Sequence, residues 1–296
     1  MIAALPQPDE PSLNEVPLTA LCRVEHFALL AGWLDCAIPF ARQRFGPQYP
    51  RGVEYRKHWE VAQALRALAH GGGIRSDAQI LGIGAGNEPT IFVLTNYVQR
   101  VFATDLYLDD GWTESANVGM LTKPGASWPG PWHPRRLVVQ HMNALDLRYE
   151  DGTFDGAFSS SSIEHFGTLD DVAASLREAF RVLKPGAIYA LSTEFRLAGP
   201  PPGLPGILMF DWKELQRVVF GSAPWEVVGP VQIPGEQDTP DPVVSFEAAA
   251  RMVQSHVATF GEIHWDRLDW PEHPQVRLRH GDLIWTSVSV ALRKPL

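Results

Sequence analysis

Cysteine is nearly absent from this 296-residue chain, with Cys22 and Cys36 the whole complement. Two thiols make no disulfide framework, and neither has the spacing of a metal site, so free thiols in a reducing compartment are expected and no metal is. Basic residues are also scarce, at 25 Lys and Arg against 34 Asp and Glu, for a net charge of −9. That balance argues against a polyanionic partner, because nucleic-acid binding draws on Lys and Arg to neutralise phosphates. Arg135-Arg136 is the obvious short basic cluster in mid-chain and reads as a solvated loop. Long apolar runs are missing as well. The stretch from Phe27 to Phe40 is broken by Asp35 and falls short of the ~20 residues that a bilayer span needs, so it reads as a buried helix. Met1 to Pro11 lacks the basic start of a secretion signal, and a cytoplasmic protein with no membrane partner is the expectation. No internal repeat is visible.

What is present is an alternation. Residues 1–54 read as a partly helical extension, disordered over the first ten residues and helical from Ala20 to Arg44. Tyr55 to Ala69 repeats apolar residues at helical spacing and stops at Gly71-Gly72-Gly73. From there, short apolar runs alternate with helices. Gln79 to Ile83, Arg100 to Thr104, Leu137 to Gln140, Gly156 to Ser159 and Ala187 to Ser192 read as strands, and Pro89 to Tyr97 and Leu169 to Leu183 as helices. This order predicts βαβ units and an α/β fold with a mostly parallel sheet covered on both faces. A helix from Ser245 to about Val257 follows, and Leu283 to Leu292 reads as a late antiparallel strand suited to the sheet edge. Two insertions, 108–136 and 195–245, each begin beyond the carboxyl end of a strand, where open α/β sheets bind ligands.

Chemistry gathers at the same strand ends. Gly84-Ala85-Gly86 joins the first strand to a helix, and such glycines let the backbone approach a ligand closely while the helix amides face it. An ordinary strand–helix turn has the same appearance. Pro89 stands where a dinucleotide fingerprint places its third small residue, which counts against a nicotinamide-dependent oxidoreductase; proline suits the first turn of a helix instead. Asp105 ends the second strand 19 residues after Gly86, where an acid can accept hydrogen bonds from ribose hydroxyls or cap a turn. Asn143-Ala144 follows the third strand, offering an amide and an unhindered N–H to an adenine edge.

From about Tyr55 to Ser192 the chain resembles the class I S-adenosylmethionine-dependent methyltransferases, in particular the group acting on small molecules. Besides the glycine turn, the stretches FDGAFSSSSIEHF (154–166) and REAFRVLKPGA (177–187) carry the resemblance. It implies a Rossmann-like, doubly wound sheet and S-adenosyl-L-methionine as cofactor. It places Gly84, Ala85 and Gly86 at the methionine part, Asp105 at the ribose, and Asn143 and Ala144 at the adenine, with Leu106, Ser160 and Ser161 completing the shell. The chain departs from the family pattern in three places. Gly82 replaces the usual acid two positions before the first loop glycine, Glu88 replaces the third glycine, and Asn143 stands where Asp is commoner. Glu88 is placed both for the cofactor's positive groups and for a helix N-terminus that favours acids.

Methyl transfer asks the protein to align an acceptor and, for a hydroxyl, to remove its proton. His165 and Glu164, just after the fourth strand, are the candidate bases, with His133 and Glu194 as further ones. Trp112, Trp128 and Trp132 lie in the 108–136 insertion and suggest either an aromatic cradle for the acceptor or packing of a long loop. The expected function is O-methylation of a sugar or other hydroxylated small molecule. RNA or protein methylation and a non-catalytic nucleoside-binding module are the alternatives.

Overall fold

The computed structural model describes residues 14–15, 56–109, 115–128, 130–232, 243–261 and 277–296. The first long element is helix α1, Arg56–His70. Its apolar residues Trp59, Ala62, Leu65 and Leu68 are fully buried, as their spacing requires, but so are the polar Glu60, Gln63 and Arg66. Strand β1, Gln79–Ile83, then leads through the glycine turn to helix α2, Pro89–Leu94, with proline at its start. Strands β2 (Arg100–Asp105), β3 (Leu137–His141) and β4 (Phe154–Ser160) follow. Helix α3, Leu169–Val182, is opened by a reciprocal capping box between Thr168 and Asp171, which satisfies backbone N–H groups that the first turn would leave unpaired. Strand β5, Leu183–Ala198, helix α4, Phe246–Phe260, and strand β6, Leu283–Arg293, complete the long elements.

The sheet runs β6-β5-β4-β1-β2-β3, with all of these neighbours parallel except β6 on β5. The strand order reverses between β1 and β4, so a crevice opens at the carboxyl ends of those two strands. Phe92, Leu176, Val182 and Phe158 are fully buried around the sheet. This is the Rossmann-like, mostly parallel architecture.

Two expectations change. The antiparallel strand β6 is not an edge: beyond it lie Arg277–His280, Glu226–Val227 and Glu15, each paired to it. Its inner position matches a burial pattern with ten consecutive buried residues. Strand β5 runs on to Ala198, so Glu194 and Phe195 belong to the strand rather than to the loop after it. Asn14–Glu15 forms a short strand parallel to Val231–Gln232. The expected helix at 20–44, Cys22 and Cys36 lie outside the described residues. Among the described residues, no helix is long and apolar enough to cross a membrane, and no group of His, Cys, Asp and Glu could hold a metal ion.

Candidate active site

A cavity of about 410 Å³ occupies the crevice at the carboxyl ends of β1, β2, β3 and β4, within the size range of small-ligand sites. Gly84 and Gly86 form its floor with φ of 61° and 48°. A first side-chain carbon on Gly84 would lie 2.7 Å from Ser162 Cβ, and one on Gly86 would lie 2.6 Å from the Ser115 carbonyl oxygen. The turn is therefore glycine for two reasons: its left-handed backbone and the closeness of its neighbours. Gly82 has a separate reason. A carbon there would sit 2.8 Å from both Ala85 Cβ and Phe158 Cζ, which leaves no room for the acid the resemblance would place at that position.

The strand ends supply the polar groups. Asp105 accepts from the Gly86 N–H at 2.8 Å and from the Leu106 N–H at 2.7 Å. Burial pushes its carboxyl above the usual range, against the pull of those two bonds. Tyr107 Oη donates to the Gly86 carbonyl at 2.7 Å, so the glycine turn is tied to β2 from both sides. Asn143 Oδ1 accepts from the Leu145 N–H at 2.9 Å. That bond leaves the Nδ2 hydrogens as the amide's outward donors. Ser162 Oγ donates to the Gly84 carbonyl at 2.6 Å, linking the end of β4 to the turn.

All ten residues assigned to the cofactor shell in the sequence line this one cavity: Gly84, Ala85, Gly86, Glu88, Asp105, Leu106, Asn143, Ala144, Ser160 and Ser161. His165 lines it too, with its Nδ1–H donating to the Gly206 carbonyl at 3.0 Å. A carbonyl oxygen can only accept, so the proton sits on Nδ1 and Nε2 is the basic nitrogen of the neutral ring. Burial holds the His165 pKa below its ordinary 6.5.

The other candidate bases are elsewhere. Glu164 is buried behind the wall, where Thr193 Oγ1 donates to it at 2.8 Å. Burial, and then the charge of Glu194, raise its pKa. Neighbours on a short 3-10 turn (Ile163–His165) thus point to opposite sides. Glu194 is committed to an ion cluster described below. His133 is exposed, with its backbone N–H bonded to Thr95 Oγ1. Trp128 stacks on Phe92 with ring centroids 5.2 Å apart, and Trp132 meets the same ring edge-on at 5.5 Å, so these two pack the loop onto α2 rather than cradle an acceptor. Arg136 is no free loop residue either, since it donates to the Thr95 and Val98 carbonyls. Trp112 lies outside the described residues.

Other residues of the site went unread in the sequence, Met142, Leu145, Ser162, Phe166 and Asp171 of the cavity lining among them. Ser115 and Ala116, from the 108–136 insertion, form part of the cavity wall. Also unread is the ion cluster beneath β4 and β5. Glu194 Oε1 accepts from Arg56 at 3.0 Å and from Lys57 at 2.9 Å. Glu60 accepts from Ser161 Oγ at 2.6 Å, from Ser192 Oγ at 3.0 Å and from Ser287 Oγ. Lys57 also donates to Ser161 Oγ. Ser161, at φ 48°, is the one non-glycine residue in a left-handed conformation among the described residues, and these bonds hold it there at the cavity wall. The sequence signal was the RKHWE run at the start of α1 (56–60), whose charges at i, i+3 and i+4 spacing resemble an ordinary surface ion-pair pattern.

The cavity suits a nucleoside that carries positive charge. Its wall has Glu88, Asp105 and Asp171 and, among the described residues, neither lysine nor arginine. Glu88 Oε1 is buried there without a hydrogen-bond partner.

The family described as Methyltransferase domain matches residues 81–191, the segment from β1 into β5. The 27-O-demethylrifamycin SV methyltransferase of Amycolatopsis mediterranei is 30% identical over 132 residues, 44% of this chain and 43% of that protein. The O-methyltransferase resE of Aspergillus sclerotiorum is 28% identical over 137 residues, 45% of this chain and 47% of that protein. The chain thus spans less than half the length of these curated relatives. Phosphoethanolamine N-methyltransferase 2 of Haemonchus contortus, solved in complex with S-adenosyl-L-methionine, shares the fold with a TM-score of 0.50 at 16% identity, over 97% of this chain and 61% of that one. Residues 81–191 thus match the Methyltransferase domain family, and the curated relatives that align with the chain are methyltransferases by name.

Proposed function

We propose that this protein transfers a methyl group from S-adenosyl-L-methionine to a hydroxyl of a small molecule. The observation that carries the reading is His165: its Nδ1–H is held by the Gly206 carbonyl, and the ring stands in the wall of the cavity that also holds the glycine turn and Asp105. When bound, the cofactor supplies a methyl group already activated by a positive sulfur. The chain's own residues hold, orient and deprotonate. Asp105, whose two oxygens keep lone pairs beyond their backbone bonds, accepts from the ribose hydroxyls. The glycine turn accommodates the methionine part, with Ser160 and Ser161 beside it. Asn143 and the Ala144 N–H meet the adenine edge, and Leu106 lines the same end. His165 Nε2 takes the acceptor's proton as its oxygen attacks, which is the task of a neutral imidazole. Two relatives act as O-methyltransferases by name, which supports oxygen as the reacting atom.

Asp105 and Asp171 on the wall, with neither lysine nor arginine among its described residues, oppose a polyanionic acceptor such as RNA. Calorimetric titration with S-adenosylhomocysteine, followed by methyl transfer to matched hydroxyl, amine and thiol acceptors, tests the reading. Binding of the nucleoside with turnover of hydroxyl acceptors is expected. Turnover confined to amines would overturn the O-methylation reading, and binding of NAD alone would overturn the cofactor.

A further inference from the structure

Resting on that cofactor reading, we propose that Glu88 is the counter-ion of the cofactor's α-ammonium group and releases a proton when the cofactor binds.

The geometry begins with a missing acid. No side chain fits at Gly82, where a first carbon would meet Ala85 and Phe158 at 2.8 Å. The carboxyl instead enters from the other side of the turn, on Glu88 at the N-cap of α2, where its side chain makes no cap hydrogen bond. Its Oε1 is buried without a partner in the cavity wall. An orphaned buried acceptor in a binding site calls for a donor. The cofactor has two positive groups, and only one can donate: an ammonium has N–H bonds, a sulfonium has none.

Position agrees. Glu88 lies between Asp105 at the end of β2, the ribose side, and Ser160 at the end of β4. That is the stretch of wall beside the glycine turn, where the methionine part runs. The groups acting on Glu88 are the Ser160 hydroxyl from β4, Asp105 from β2, and Glu60 and Lys57 from α1. Lys57 is held by Glu60, Glu194 and Ser161, so its charge is shared among several partners. Burial, reinforced by Glu60 and Asp105, pushes the Glu88 carboxyl up to about 8. The acid is therefore mostly protonated at neutral pH when no cation faces it. An arriving ammonium favours the carboxylate. The O–H bond of Glu88 breaks, the proton passes to solvent, and the carboxylate is left paired with the ammonium.

The test is calorimetry near pH 7 in two buffers of different ionisation enthalpy. The probes are S-adenosylhomocysteine, which has the ammonium and no sulfonium, and 5′-methylthioadenosine, which has neither the ammonium nor the rest of the amino-acid part. Wild-type protein should release close to one proton more with S-adenosylhomocysteine than with methylthioadenosine. Any release from Asp105 on the ribose side is common to both probes and cancels. E88Q should abolish the difference and weaken S-adenosylhomocysteine binding by about tenfold or more, with methylthioadenosine nearly unaffected. E88D, which keeps a titratable acid, should retain proton release. Equal proton release with both probes in the wild type would overturn the assignment, as would an E88Q protein that binds S-adenosylhomocysteine normally. A wild-type protein that binds neither probe would overturn the cofactor reading, and this inference with it.

Discussion

Glutamine in place of Glu194 should destabilise the fold by about 3 kcal/mol without touching the cavity wall. The carboxylate joins β5 to α1 by accepting from Arg56 and Lys57. With Glu60 it balances the buried Arg56 and the partly exposed Lys57 by two anions, and Arg56 reaches on to Ser287 of β6 at 2.9 Å. E194Q is isosteric but neutral, so two cations would face one carboxylate. Removing one partner of a buried pair costs about 3–5 kcal/mol. The Lys57 side chain keeps 29% of its exposure, so water softens part of the loss and the lower end applies. At about 2 °C per kcal/mol for a chain of this size, Tm should fall by roughly 6 °C, with a matching loss in urea denaturation. The double variant K57M/E194Q restores one cation to one anion, and should be more stable than the sum of the two single changes predicts. The acid side gives an independent reading. Burial alone would raise the Glu194 pKa, but the charges of Arg56 and Lys57 outweigh it and hold it below its ordinary 4.5. A depressed folded pKa contributes stability above the unfolded pKa, and that stability is lost as pH falls through the folded value. Wild type should therefore lose this contribution on acidification and E194Q should have none to lose. An E194Q protein within about 1 kcal/mol of wild type, or strictly additive behaviour in the double variant, would refute the assignment of charge balance to this cluster.

Three further outcomes are expected. G84A forces a side chain into a left-handed turn at φ 61°, 2.7 Å from Ser162 Cβ, and should cost about 2–4 kcal/mol in urea denaturation; wild-type stability would mean the turn is not crowded. D105N puts an amide N–H₂ against one of the two backbone donors that Asp105 now satisfies. It should weaken S-adenosylhomocysteine binding by about tenfold or more, and an unchanged Kd by calorimetry would remove Asp105 from the site. H165Q should lower kcat by about 10²–10⁴ while leaving S-adenosylhomocysteine affinity nearly intact. Because the base must be neutral and its pKa lies below 6.5, the wild-type rate should rise with pH through a midpoint below that value, and the variant should lose this limb.

Much of this molecule could be read from local pattern. The periods of β1 to β4, the glycine turn, Asp105 at a strand end and the stop after α3 are each set by neighbours close in the chain, and the structure assembles all ten cofactor candidates around one cavity. What local pattern could not decide was which way a residue faces once distant segments meet. Glu164 and His165 are consecutive, yet one is bonded to Thr193 inside and the other lines the cavity. Arg56 and Glu60 have the i, i+4 spacing of an ordinary surface pair, but Glu194 and Ser287, 138 and 231 residues from Arg56, make them a buried cluster. Trp128 and Trp132 could have held an acceptor until Phe92 of α2 was seen to hold them. The alternation of β6 could have suited an edge until Glu15, Glu226–Val227 and Arg277–His280 closed over its outer side. Hydrophobic period and turn chemistry are properties of a short segment, so the sequence by itself determined the elements and the kind of site. The partners of a buried charge depend on strand order and register across the whole chain, and only the tertiary structure decided those.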